Sequence, residues 1–365
     1  AFAAAVPAAS FTWDATKDGR LMSATNDIVL FKNGVNAGTY GTNGEFFVQT
    51  ADIDFNGKPA WDGIGIYTKA GQDKGDFGFA ATYDGAGYKI SNLTFPNKKY
   101  AALFAQVGQT NKVGVVKNLT VENATFVDMS ASGEWGGALI VGHLENGTIS
   151  ACCSAGTFGS EQYPLTHNAS GILGRLGNGL VENCTNSATL YATGSGTKIG
   201  GIVNICELDA TSKTGASTIR GCVNTGTLTF VGTDGRDDGT GGILGYASNK
   251  NGGVIIENCV NTGVIASSLD GDAKVGQILG CFQNGTVTAT GNTVNADQLA
   301  LGGTATVDGL DFATVEGGVA TLVSTNNFAA GNIYKVMSAK AGLDTELKLA
   351  KGETIAFDNA LNTAF

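Results

Sequence analysis

Proline, charge and histidine are all scarce in this chain. Of 365 residues only 4 are proline and 2 are histidine, and charged side chains make up 15%. With 55 glycines beside so little proline, glycine here serves turns rather than a disordered tract, and a 42% apolar content is ample for a packed core. No run of 18 apolar residues occurs, which excludes a membrane-spanning helix. Lys and Arg form no cluster and the formal charge is −10, so nothing is present to displace counterions from phosphates and nucleic acid is excluded as a partner. His143 and His167 stand in neither a metal-ligand spacing nor a Ser/His/Asp context, and both read as isolated surface or rim residues. No glycine-rich phosphate loop opens a helix.

What is present is a repeat. Gly241-Gly242-Ile243-Leu244-Gly245-Tyr246 leads through a polar loop to Val254-Ile255-Ile256-Glu257-Asn258-Cys259-Val260-Asn261-Thr262-Gly263. Related copies are Gly200-Gly201-Ile202-Val203 with Ile219-Arg220-Gly221-Cys222-Val223-Asn224, and Gly171-Ile172-Leu173-Gly174 with Val181-Glu182-Asn183-Cys184-Thr185-Asn186. Gly136-Gly137-Ala138-Leu139 followed by Cys152 is looser, and a copy at Gly276-Gln277-Ile278-Leu279 lacks its cysteine. The aligned Cys152, Cys184, Cys222 and Cys259 lie 32, 38 and 37 residues apart.

A period of that length, carried by short apolar runs and glycine, marks a stacked architecture. Three short strands per unit predict an all-β chain, a right-handed parallel β-helix in which each strand pairs with its counterpart at about 4.8 Å and like stacks on like. The four aligned cysteines then form an internal ladder of small apolar fillers. Their side chains project in parallel at the strand spacing, wider than a disulfide prefers, so the expected state is reduced. Cys152 and Cys153 cannot both face inward, which leaves one as an exposed or bridging thiol. Asn and Gly suit the corners, where the backbone is left-handed and stacked amides bond to each other.

The Gly-Gly-Ile-Leu-Gly-Tyr and Ile-Glu-Asn-Cys-Val-Asn-Thr-Gly pieces resemble the GLUG-type repeats of secreted bacterial surface proteins. Ala51-Asp52-Ile53-Asp54-Phe55, Trp61-Asp62-Gly63-Ile64-Gly65 and Thr82-Tyr83-Asp84-Gly85-Ala86-Gly87-Tyr88-Lys89-Ile90-Ser91-Asn92-Leu93 are similar to that family's opening block. The likeness spans roughly residues 51–290. It implies the fold and an extracellular or cell-surface setting, and carries no shared catalytic residues.

Three regions are expected: a cap or assembly segment over 1–50, repeats over 51–290, and a closing β cap or small β domain over 291–365. Chemistry is sparse. Asp234, Asp237 and Asp238, with Arg236 among them, and Asp270 and Asp272 in the next repeat would meet at adjacent corners, an acidic patch able to hold Ca²⁺ or to serve a polysaccharide lyase or hydrolase. The simpler reading is a solvated polar corner. Trp13, Trp61 and Trp135 do not align in one column, so core or cap filling is expected rather than a sugar platform. Seven Asn-x-Ser/Thr sequons, at Asn92, Asn118, Asn123, Asn146, Asn168, Asn183 and Asn284, follow from composition. The expectation is a non-enzymatic structural or adhesive protein without a cofactor, partnered by itself in a fibre or by surface glycans or host proteins. The alternatives are a polysaccharide-cleaving enzyme and a glycan-binding module.

Overall fold

The computed structural model describes residues 12–14, 19–42, 44–66, 77–96, 100–127, 137–166, 168–207, 216–232, 239–267 and 275–295, and short strands between 303 and 364. The chain is a parallel β-solenoid of about six turns, nearly all-β. Each regular turn contributes a two- or three-residue strand to a short sheet, such as Gly239–Gly241, then a strand to a long sheet, such as Val141–Ser150 or Leu173–Glu182, then strands to a third sheet, such as Cys153–Phe158. The Gly-Ile-Leu run of the repeat is not a strand of its own. Ile172, Ile202, Ile243 and Ile278 sit buried just before the long strands, which begin at the residue that follows each.

Pairing is parallel and in register over most of each repeat, with shifts at Glu122–Ala124 and at Ala247–Gly253, so equivalent residues form columns. One interior column runs Phe47, Tyr83, Val116, Ile149, Val181, Ile219, Ile256 and Ala289, all buried, with the largest side chains at the N-terminal end. A second begins as Ile53, Ile90 and Val121 and then turns polar as Ser154, Asn186, Asn224 and Asn261. A primary amide carries both donor and acceptor, so amides stacked at the strand spacing satisfy each other. Ser154 Oγ donates to Asn186 Oδ1 at 2.7 Å, Asn186 Nδ2 to Asn224 Oδ1 at 2.7 Å, Asn224 Nδ2 to Asn261 Oδ1 at 2.8 Å, and Asn261 Nδ2 to Gln277 Oε1 at 2.7 Å.

The corner after the long strand requires a left-handed residue. Gly87, Asn118, Ala151, Asn183, Gly221, Asn258 and Gly291 hold that place in successive turns, with φ between +50° and +83°. This is the backbone that glycine and asparagine adopt most cheaply. Asparagine and glycine alternate where they can: a Cβ on Gly221 would lie 2.6 Å from Asn183 Oδ1, and one on Gly291 2.5 Å from Asn258 Oδ1.

The N-terminal segment departs from the all-β expectation. Thr25–Asn36 is a helix, because Ile28, Phe31 and Val35 recur on one face and the Asp27 carboxylate accepts from the amides of Ser23 at 2.8 Å and Ala24 at 3.0 Å. Its Phe31 ring lies 4.5 Å from Phe47 and 5.7 Å from Tyr83, so the helix covers the aromatic end of the interior column. At the other end Thr293–Asn295 pairs with Ile333–Ser338, which turns antiparallel onto Leu343–Lys348. The remaining C-terminal strands form an antiparallel sheet from Gly303 onward.

Replacing Asn224 by Ala leaves a buried donor on Asn186 and a buried acceptor on Asn261 without the partner each now has. At about 1–3 kcal/mol for each buried group, chemical denaturation should show a loss of about 2–6 kcal/mol. The exposed Asn178→Ala, on the surface of the long sheet, should stay within about 0.5 kcal/mol of the parent.

Candidate functional site

Two clusters of chemically active side chains lie within the described residues, the thiol column and a polar row beside it. Cys152, Cys184, Cys222 and Cys259 are each 0–1% exposed and occupy one column, preceded by Leu119 and followed by Asn292. Asn292 takes the place of the cysteine missing from the last copy. Its Oδ1 accepts from the Cys259 amide at 2.9 Å and its Nδ2 donates to Ile256 O at 3.0 Å. All seven cysteines are thiols rather than disulfides. Each ladder Sγ donates to the carbonyl two residues back, at 3.4 Å for Cys152, 3.3 Å for Cys184, 3.4 Å for Cys222 and 3.5 Å for Cys259. Of the adjacent pair, Cys152 is buried and Cys153 is partly exposed.

Burial disfavours the thiolate. It drives Cys184 well above the ordinary thiol range and Cys206 up to about 12, while in Cys222 the hydrogen bond with Cys184 is the largest cause of an upward shift. Cys153 is also raised, chiefly by burial. Reactive cysteines have depressed values and open surroundings, so the ladder is inert packing, not a row of nucleophiles.

The polar row lies at equivalent positions of the first half of the long strands, where Gln106, His143, Arg175, Ile205, Tyr246 and Cys281 succeed one another in register. His143 is 4% exposed rather than a rim residue, its ring stacked on Tyr100 at 5.2 Å and its Nε2 3.4 Å from Glu145 Oε2. Arg175 donates to Tyr100 Oη at 3.2 Å and lies 3.6 Å from Glu207 Oε2. Lys198 Nζ sits 4.8 Å above the Tyr246 ring. Cation, carboxylate and ring thus close on each other, the arrangement of a structural polar seam. The signal was in the aligned repeats, as His143, Arg175 and Tyr246 each follow the same glycine of the Ile-Val-Gly, Ile-Leu-Gly and Ile-Leu-Gly copies.

Asp234, Arg236, Asp237, Asp238, Asp270, Asp272, His167 and Trp135 lie outside the described residues, as does the side chain of Trp13. Trp61 is core: 3% exposed, its indole N–H donating to Leu103 O at 2.9 Å and its ring against Phe55. Of the sequons, Asn168 is 6% exposed and its Oδ1 accepts from the Lys198 amide at 3.0 Å, so it is closed to glycosylation in the fold. Among the described residues no three His, Cys, Asp or Glu side chains come together as a metal site, and no helix is long and apolar enough to cross a membrane.

No protein-family model matches the chain, and no curated protein matches it. A solved structure does: a "putative immunoglobulin A1 protease" from Bacteroides ovatus, with a TM-score of 0.57 and 19% identity, over 89% of this chain and 85% of that one. At that identity the likeness shows the solenoid fold alone.

The raised thiols give a pH dependence with a definite sign. Their folded values lie above the unfolded value of about 8.5, so the stability they contribute is complete below that pH and lost as pH climbs through the folded values. For Cys206 the window runs from about 8.5 to about 12. In that window the stability of Cys206→Val, measured by urea unfolding, should fall less steeply than that of the parent, by about 1.4 kcal/mol per pH unit. Equal slopes would contradict the assignment.

Proposed function

We propose that this chain is a non-enzymatic extracellular β-solenoid with a structural or adhesive role, a rigid rod offering flat sheet faces to surface glycans or proteins. One observation carries this reading. The thiols Cys184, Cys206 and Cys222 and the Tyr83 hydroxyl are all held above their ordinary ionisation, and all lie inside the core. Catalytic sites displace the pKa of groups that face a cleft. Low charge and a glycine-rich all-β build support an extracellular setting. A fibre joined end to end is the assembled form of this reading, with the helix Thr25–Asn36 packed near one end and an antiparallel pair following the other.

The second reading is an enzyme. It draws on the printed name of the B. ovatus structure and on the acidic positions Asp234, Asp237, Asp238, Asp270 and Asp272, which would also be the place for Ca²⁺.

Incubation of the full chain with immunoglobulin A1 and with a panel of acidic polysaccharides, with and without Ca²⁺, separates the two. The proposal expects no new fragments or reducing ends, together with retention of the chain on a glycan or matrix-protein array. Cleavage that disappears in the Asp237→Asn/Asp238→Asn variant would establish the enzyme, and an array without binding would remove the adhesive role.

A further inference from the structure

The second half of the long sheet carries two columns whose chemistry alternates from strand to strand. One runs Phe46, Thr82, Val115, Thr148, Leu180, Thr218, Ile255 and Thr288, apolar and threonine in turn. The other, two residues further along each strand, runs Val48, Asp84, Lys117, Ser150, Glu182, Arg220, Glu257 and Thr290, with Val48 buried at its head. The residues between them, from Tyr83 to Ile256, are the buried interior column, so both alternating columns point away from the core. They are partly open to solvent, with Lys117 34% and Arg220 49% exposed.

Within the chain the charges pair down the column. Lys117 Nζ lies 3.5 Å from Asp84 Oδ2, and Arg220 donates twice to Glu182 Oε2, at 2.9 and 2.7 Å. The neutral Ser150 separates the two pairs. Read outward from Ser150, acid and base are therefore inverted: Lys117 then Asp84 on one side, Glu182 then Arg220 on the other.

We propose that this face docks on the same face of a second copy, the two rods antiparallel and the twofold axis passing over Thr148 and Ser150. An axis along the strand direction reverses the order of strands while keeping each column opposite itself. Lys117 then faces the partner's Glu182 and Asp84 faces the partner's Arg220, while at the rim Glu257 lies opposite the buried Val48 and makes no ion pair. In the neighbouring column Val115 meets the partner's Leu180, Phe46 the partner's Ile255, and Thr82 the partner's Thr218, with Thr148 on the axis. No other placement fits. Moving the axis by half a strand spacing puts threonine on apolar side chains and sets either Lys117 against Arg220 or Asp84 against Glu182. Moving it by a whole spacing puts Lys117 or Glu182 against its own copy, a repulsion that such a face would not survive. The overlap is roughly 30 Å long at the strand spacing. With two columns about 7 Å apart and their side chains, the patch is about 14 Å wide and covers about 400 Å², below the roughly 800 Å² per partner of a standard interface, so the association is weak and held largely by charge.

Sedimentation velocity of the full chain from about 1 to 200 μM, at about 50 and 500 mM salt, tests this. A monomer–dimer equilibrium is expected at low salt, with its dissociation constant raised at least about tenfold at high salt. Ser150→Lys and, independently, Thr148→Arg place like charges face to face on the axis and should abolish the dimer, with folding checked by circular dichroism. Ser150→Ala and Lys89→Gln, the latter on another sheet, should leave it within about twofold. A chain monomeric throughout at low salt overturns the proposal and leaves the face to an occupant other than a second copy. A dimer indifferent to salt and to both axis variants overturns it as well, because the copies then meet elsewhere.

Discussion

Every strand of the repeat lies one sheet spacing from its equivalent, so each side chain has its own counterparts as its nearest neighbours. That constraint decides which residues each position accepts. Many columns are compatible with themselves: aliphatic on aliphatic, amide on amide, or charges of alternating sign. Ser154, Asn186, Asn224 and Asn261 satisfy it inside, where an isolated polar group would be costly and a continuous row is not. Asp84, Lys117, Glu182 and Arg220 satisfy it outside by pairing along the column. The thiols satisfy it as small apolar bodies whose weak donors reach nearby carbonyls.

The same constraint shapes what the molecule can do. A rod whose interior is filled by columns, with a helix packed on their aromatic end, leaves its sheet faces as its extended surfaces. The buried His143 and Arg175 close on the half-buried Glu145 and Glu207 and on the Tyr100 ring. The order of side chains along such a face is therefore fixed by the register of the strands beneath it.

Much of this was legible in the sequence because a stacked fold copies its pattern at each turn. The spacing of Cys152, Cys184, Cys222 and Cys259 was enough to place one buried column. Three features needed more than the repeat. Ile28, Phe31 and Val35 are spaced as a helix needs, but the short apolar run around them reads equally as a strand. The second asparagine of each Asn-Cys-x-Asn unit turns inward, whereas the first takes the left-handed corner, and only the pairing register tells the two apart. His143 reads as an isolated residue because the Tyr100 ring it stacks on comes from another turn, although its other partner, Glu145, is two residues away. The acidic loops at Asp234–Asp238 and Asp270–Asp272 remain features of the sequence, outside the described residues.

Register is the claim on which the columns, the ladders and the docking face all rest. Spin labels placed in pairs at Thr82 with Thr148, Thr218 or Thr288, in a dilute Cys153→Ser/Cys281→Ser background, read it directly by dipolar spectroscopy. These positions are two, four and six strands apart in one column, so the separations should rise evenly by about 10 Å per step, to roughly 29 Å for the last. Separations that fail to grow in equal steps would mean that the turns do not lie strand on strand, and the account would fall.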